Sequence, residues 1–350
     1  MRKIILCIMG GLIAVISLIL VKFGNPANMG ICVACFLRDI AGSLGFHSTS
    51  IVQYFRPEII GILLGVFILS LFRKEFLPKG GSAPFTRFIL GFSLMIGALI
   101  FLGCPLRMVL RISGGDLNGL VGLGGFIVGI LTGVFFLKKG YSLNKTSEVT
   151  KTDVYLPHII FLVFFVLLLL GSSVLAFSTM GPGSMHAPPY ISLIAGLILG
   201  GIGFYTRLCF VGSLRDAMLF KEFSMFGAFG AILVVGIVGN LILGSFKLGF
   251  LGQPIAHSEW LWNFLGMTLV GLCSVLLGGC PFRQLILAGS GNSDSFITVL
   301  GMLAGGAFAH NFGMASSATG VTQNGKIGFS IALVIVLFIA IYNIKLRVKS

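Results

Sequence analysis

The sequence predicts an all-α polytopic membrane protein of about ten spanning helices, arranged as two inverted five-span repeats with re-entrant half-helices. Three observations predict it. Of 350 residues, 56% are hydrophobic and 10% charged, where a soluble domain carries about 25% Asp, Glu, Lys and Arg. Apolar runs long enough to cross about 30 Å of hydrocarbon recur with few charges inside them. Two cysteine-bearing motifs each occur twice, at nearly the same displacement.

The first apolar run covers residues 4–21, behind Arg2 and Lys3. It is too long for the core of a secretory leader and no small-residue cleavage site follows, so it reads as a span. Further spans are expected over 57–72, 88–103, 117–137 and 157–177, and a second five over 190–205, 224–244, 261–277, 296–311 and 327–344. The glycines Gly125, Gly129 and Gly133 in the fourth span, and Gly301 and Gly305 in the ninth, follow the small-xxx-small pattern of close helix packing. Residues 24–53, 104–115, 207–221 and 278–291 are too long for turns yet too short or too charged to span. Such backbone survives at membrane depth only when buried in protein or lining a wet cavity, so these four segments are expected to be re-entrant. The repeats divide the chain into 1–155 and 156–350, with the boundary span 157–177 counted as the fifth of the first repeat.

A net charge of +14 would suggest nucleic acid in a soluble domain, but no basic surface interleaved with aromatics is present, and most cations sit in short connections. Thirteen lie at the two termini and in the connections after the second and fourth spans, against two, Lys247 and Lys326, in the alternate connections. The positive-inside rule then predicts a multi-pass protein of a bacterial inner (cytoplasmic) membrane with both termini cytoplasmic.

The chemistry is expected in the repeated motifs. Cys32-Val-Ala-Cys-Phe-Leu-Arg-Asp39 returns as Cys209-Phe-Val-Gly-Ser-Leu-Arg-Asp216, displaced by 177, and Gly103-Cys-Pro-Leu-Arg107 returns as Gly279-Cys-Pro-Phe-Arg283, displaced by 176. Five spans per repeat make the second copy enter from the opposite face, an architecture that places substrate near the midplane among broken helices. Segments bearing Cys32 and Cys104 would dip from one side and those bearing Cys209 and Cys280 from the other, so that four cysteines line one axis. Pro suits a first helical turn, which puts Cys104 and Cys280 at N-caps, in the positive end of the helix dipole. Free N–H groups there attract anions, the Arg one turn on adds fixed charge, and the thiolate is favoured. A plainer reading of the same residues is a small hydrophobe with an Arg that snorkels to the interface.

Arg38 with Asp39, and Arg215 with Asp216, are costly inside a membrane unless paired or wetted. Each Asp is expected to balance its neighbouring Arg, leaving Arg107 and Arg283 to meet a substrate; a purely structural tie is equally open. Cys32 and Cys35 also form a C-x-x-C that a redox pair would use, without a thioredoxin context. Cys7 and Cys273 read as packing residues. The five histidines lack metal-ligand spacing, with His310 the one best placed to face a cavity, and the seven cysteines suggest neither a disulfide framework nor a zinc site. No metal and no cofactor are expected.

The segment from Gly24 to Asp39, the paired Gly-Cys-Pro-x-Arg motifs and the copy ending at Asp216 resemble the YeeE/YedE sulfur-transport family, closest to its YedE-type selenium branch. The resemblance runs from about Ile4 to Ile344. It implies an hourglass of helices in which re-entrant segments meet and cysteine thiols pass thiosulfate along by S–H contacts with its sulfur. The relay implied here is Cys104, Cys280 and one of Cys32 or Cys35; the second candidate in the first motif, and Cys209, depart from the family pattern. A small cytoplasmic sulfur-carrier protein is the partner the resemblance implies.

The expected function is therefore transport, not catalysis: passage of a small sulfur- or selenium-containing anion across the bilayer along a cysteine-lined path, with no partner nucleic acid. The sequence holds no G-x-x-x-x-G-K-[ST] loop for a nucleotide. The alternatives are a thiol-disulfide exchanger built on Cys32 and Cys35, or a soft-metal transporter, which the Arg beside each Cys-Pro argues against.

Overall fold

In a bilayer only an intrahelical ladder satisfies the backbone of a single span, so the apolar runs become helices. A computed structural model describes residues 2–171 and 173–348. Of the thirteen cations counted above, Lys349 and the side chains of Arg2, Lys151, Lys345 and Arg347 lie outside the described residues. The first half runs through α1 (Arg2–Lys22), α2 (Val33–Ser43), α3 (Pro57–Phe72), α4 (Pro84–Phe101), α5 (Pro105–Ser113), α6 (Leu117–Lys138) and α7 (Lys151–Leu169). The second continues through α8 (Pro189–Thr206), α9 (Phe210–Phe220), α10 (Phe226–Ile242), α11 (Trp260–Leu277), α12 (Pro281–Gly289), α13 (Ser293–Asn311) and α14 (Gln323–Val348). Two short strands, β1 (Lys79–Gly80) and β2 (Ser147–Glu148), pair antiparallel.

The chain is an all-α, multi-pass membrane protein. Among the described residues, six stretches are long and apolar enough to cross a membrane, and three further apolar helices are shorter. α13 is more polar, with Asp294 and His310 at its ends, and is largely buried among its neighbours. Each predicted re-entrant segment holds one short helix, α2, α5, α9 or α12. Three of these follow a long helix through one left-handed residue, Leu102 after α4, Arg207 after α8 and Gly278 after α11.

The fifth expected span is shifted. α7 begins at Lys151, so Pro157 lies inside the helix and not at its start, and the helix ends at Leu169, short of 177. Gly171 takes a positive φ of 62° and turns the chain out. The following segment then pairs with the first half, Ala176 N–H donating to the Ser43 carbonyl and Ser178 N–H to that of Gln53, both at 2.8 Å.

Packing repeats with the sequence. α6 lies on α11 as α13 lies on α4, α3 on α8 as α10 on α1, and α12 on α3 as α5 on α10. Under this exchange α4 and α11 are each other's counterparts, and they meet antiparallel: Gly97 faces Leu269 and Val270, while Gly266 faces Ile100 and Phe101. α1 and α8 are likewise antiparallel, Ile5 and Leu6 lying by Tyr205 and Thr206 while Gly24 lies by His186. Two equivalent helices that run in opposite directions make the relation an inversion.

Glycine allows these contacts. A Cβ at Gly125 would fall 1.9 Å from the Phe264 carbonyl oxygen and one at Gly129 2.1 Å from that of Thr268, while one at Gly301 would fall 2.2 Å from that of Phe88. Between helices that gain nothing from leaving lipid, such backbone approach supplies the dispersion contact.

Two faces result. On one, β1 joins β2 and the start of α1 meets the end of α8. On the other, the connections 23–32, 44–56, 170–188 and 243–259 come together: Arg56 reaches the Pro182 and Met185 carbonyls, and Asn25 Oδ1 accepts from Ala187 N–H at 2.9 Å.

Candidate functional site

All four motif cysteines are helix N-caps. Cys104 and Cys280 precede Pro105 and Pro281 at the first position of α5 and α12. Cys32 and Cys209 cap α2 and α9 through sulfur: Cys32 Sγ accepts from Cys35 N–H at 3.4 Å and Cys209 Sγ from Gly212 N–H at 3.2 Å. A thiol in this position does what Ser or Asp does elsewhere, answering one of the orphan donors of the first turn.

The caps come together in pairs. The Cys32 and Cys104 thiols lie within hydrogen-bonding reach of one another, as do those of Cys209 and Cys280. Each pair also reaches the first turn of the partner helix, Cys104 Sγ standing near Ala34 N–H on α2 and Cys280 Sγ near Phe210 N–H on α9. Two positive helix ends thus converge on each thiol pair, a setting that favours negative charge. The four caps thus form two thiol pairs, one per half. Cys35 joins the first, its thiol next to that of Cys32.

The two copies of Gly-Cys-Pro-x-Arg then diverge. Arg107 is fully buried; its Nε donates to the Asn28 carbonyl at 3.2 Å, Nη2 to that of Ile255 at 3.0 Å, and Nη1 to that of Leu102 and to Cys35 Sγ at 3.5 Å. It is therefore committed to the protein, contrary to its expected freedom to meet a substrate. Arg283 makes no hydrogen bond or ion pair among the described residues and stands beside Cys209 and Cys280. It lines a cavity of about 370 Å³ with Lys74, Lys79, Arg207 and Ser290, where the single carboxylate, Glu75, lies 2.9 Å from Arg73 and 4.0 Å from Arg207.

Asp39 accepts from Arg38 through Oδ1 at 2.7 Å and from Arg56 through Oδ2 at 2.7 Å, all three side chains being out of solvent. Asp216 pairs with Arg215 at 2.8 Å in a partly exposed position and has no second arginine partner among the described residues. Neither of these local pairs touches a thiol pair through a hydrogen bond given by the structure. His310 stacks on His47 at 4.7 Å, with its Nε2 lacking a partner. Cys273 is buried in α11 and Cys7 half-buried in α1.

Sequence reasoning passed over three buried groups. Arg56 anchors the 170–188 connection and lies over Phe36 and Tyr54, at 4.8 and 5.2 Å. Arg111 pairs with Asp116 at 2.6 Å and stacks on Phe101 at 4.2 Å. Glu58 accepts from Asn25 and Ser192. The signal was available, since any ionisable residue at a span end is costly and calls for a partner.

Residues 205–349 match the family model described as Sulphur transport. No curated protein matches the chain.

Proposed function

We propose, from the match of residues 205–349 to the Sulphur transport family model, that the chain carries a small sulfur- or selenium-containing anion of the thiosulfate type through the membrane. The observation that carries the reading is the pairing of helix-capping thiols, Cys32 with Cys104 and Cys209 with Cys280. Helix ends attract the charge of the anion, while thiols offer a polarizable partner to its sulfur or selenium. On this reading the basic cavity is the vestibule of the cytoplasmic face, Arg283 is the first fixed charge the anion meets beside a thiol pair, and the termini lie on that same side of an inner membrane. A small cytoplasmic sulfur-carrier protein would exchange cargo there.

The test is uptake by proteoliposomes offered thiosulfate, selenite and sulfate separately. Thiosulfate or selenite uptake that exceeds sulfate uptake, and falls in Cys280→Ser, is the expected result. Equal handling of all three anions, unchanged in that variant, would overturn the role of the thiols. The adjoining Cys32 and Cys35 thiols favour a second reading, a thiol-disulfide exchanger. That reading requires a mixed disulfide that can be trapped when one of the two is replaced.

A further inference from the structure

Among the described residues eight non-glycine residues hold a positive φ, and three of the eight meet at one guanidinium. The carbonyls that accept from Arg107 belong to Asn28, Leu102 and Ile255, with φ of 57°, 61° and 49°. Asn tolerates this region; Leu does so poorly, and for a β-branched Ile it is an outlier. Such residues persist only where their surroundings over-determine them, and they concentrate at switches and clamps.

The second repeat shows that the break between helices does not require this arrangement. The counterpart of Leu102, displaced by 176, is Gly278, whose φ of 80° costs a glycine little. Its Arg283 makes no hydrogen bond or ion pair among the described residues. The three carbonyls on Arg107 come from three separate segments: the α1–α2 connection, the α4–α5 break and the α10–α11 connection. One side chain therefore ties shut the face above Cys32, Cys35 and Cys104, and does so against backbone strain.

Resting on the transport reading above, we infer that Arg107 is an anion-responsive latch and a specificity-determining residue of this face. An anion arriving between Asn28 and Ile255 takes over the guanidinium N–H groups, because a charge-assisted bond is about twice as strong as one to a neutral carbonyl. The released segments relax out of the left-handed region, and the Cys32 and Cys104 thiols come open to the anion. A ligand shifts such an equilibrium only by its differential affinity for the two states, and the strain held in the closed state narrows the gap it must overcome. A cation or a neutral sulfur compound has no means of displacing the carbonyls, so the latch rejects both.

The test is modification by a membrane-impermeant maleimide applied from each face in turn, the modified cysteine being identified by peptide mass. In the wild type, thiosulfate should speed modification of Cys32 or Cys104 from the Asn28 side, and the neutral sulfur compound dimethyl sulfone, added at equal concentration in the same background salt, should not. Arg107→Gln should react fast with or without thiosulfate. Ile255→Asn, which suits the left-handed backbone, should stabilise the closed state and slow the wild-type reaction by about fivefold or more, the effect of relieving one such strained residue. Arg107→Gln that reacts no faster than wild type, in protein that remains monodisperse, would overturn the latch, as would Ile255→Asn that reacts faster. Thiosulfate uptake by wild-type vesicles is measured alongside: modification that responds to thiosulfate without uptake would overturn the transport reading while leaving the latch standing.

Discussion

Cysteine at an N-cap serves two purposes at once, and serine separates them. Ser is a stronger cap than most residues, so Cys32→Ser and Cys209→Ser keep the hydrogen bonds now made by sulfur at 3.4 and 3.2 Å. What they lose is the soft, polarizable contact. Cys209→Ser is thus expected to leave thermal stability within about 0.5 kcal/mol of wild type while thiosulfate uptake falls on the order of tenfold, the factor that about 1.4 kcal/mol produces. Paired melting curves and uptake assays check both halves of the statement; a matching fall in stability would mean that sulfur matters for the fold alone. At Arg283 the expected pattern differs. Arg283→Leu removes fixed charge from a cavity wall without stranding any partner, so the protein should fold normally and lose uptake, and Lys should restore part of it. Normal uptake by Arg283→Leu would make that guanidinium a bystander.

The elements are held by backbone approach as much as by side chains. α6 meets α11 through Gly125, Gly129 and Gly133, and α13 meets α4 through Gly301 and Gly305. Those two contacts are counterparts, and the same kind of residue makes both. Gly129→Val would push a branched side chain into the Thr268 carbonyl, 2.1 Å from where a Cβ would stand. Overpacking of this kind costs about 1–3 kcal/mol even where side chains can yield, and a carbonyl in a helix yields less. A lower melting temperature in detergent and a reduced folded yield are expected, with Gly140→Val, at a site with open space around it but a positive φ of 95°, as a measure of backbone strain alone. Equal losses in the two variants would mean that the α6–α11 seam does not depend on close approach.

For the whole molecule, the inversion gives each face its own chemistry. One face presents a basic cavity with a free Arg283; on the other, Arg107 binds three segments together over buried thiols. The same motif is therefore tied down by its arginine on one face and not on the other, among the described residues, while both thiol pairs are buried. Sidedness is testable with reporter fusions. Asn144, beside β2, and the C-terminus are expected on the cytoplasmic side, and Gly183, whose N–H donates to the Ile51 carbonyl on the opposite face, outside. Asn144 and Gly183 on the same side would contradict the inverted arrangement.

The all-α multi-pass class, the doubled motifs and the caps at Cys104 and Cys280 were determined by the sequence itself, because each rests on local physics. Run length sets what can cross hydrocarbon, and Pro105 and Pro281 have no N–H to spend anywhere but in a first helical turn. The end of α7 was less legible, since its apolar run continues beyond the glycine that turns the chain out at 171. Tertiary structure alone decided which thiols pair, that Arg56 joins Arg38 on Asp39, and that Arg107 is bound while Arg283 is free. The two Gly-Cys-Pro-x-Arg motifs share their glycine, cysteine, proline and arginine. The groups that distinguish them, the carbonyls of Asn28 and Ile255, lie 79 and 148 residues from Arg107. A backbone carbonyl has no sequence signature, so only the fold could bring those two to the guanidinium.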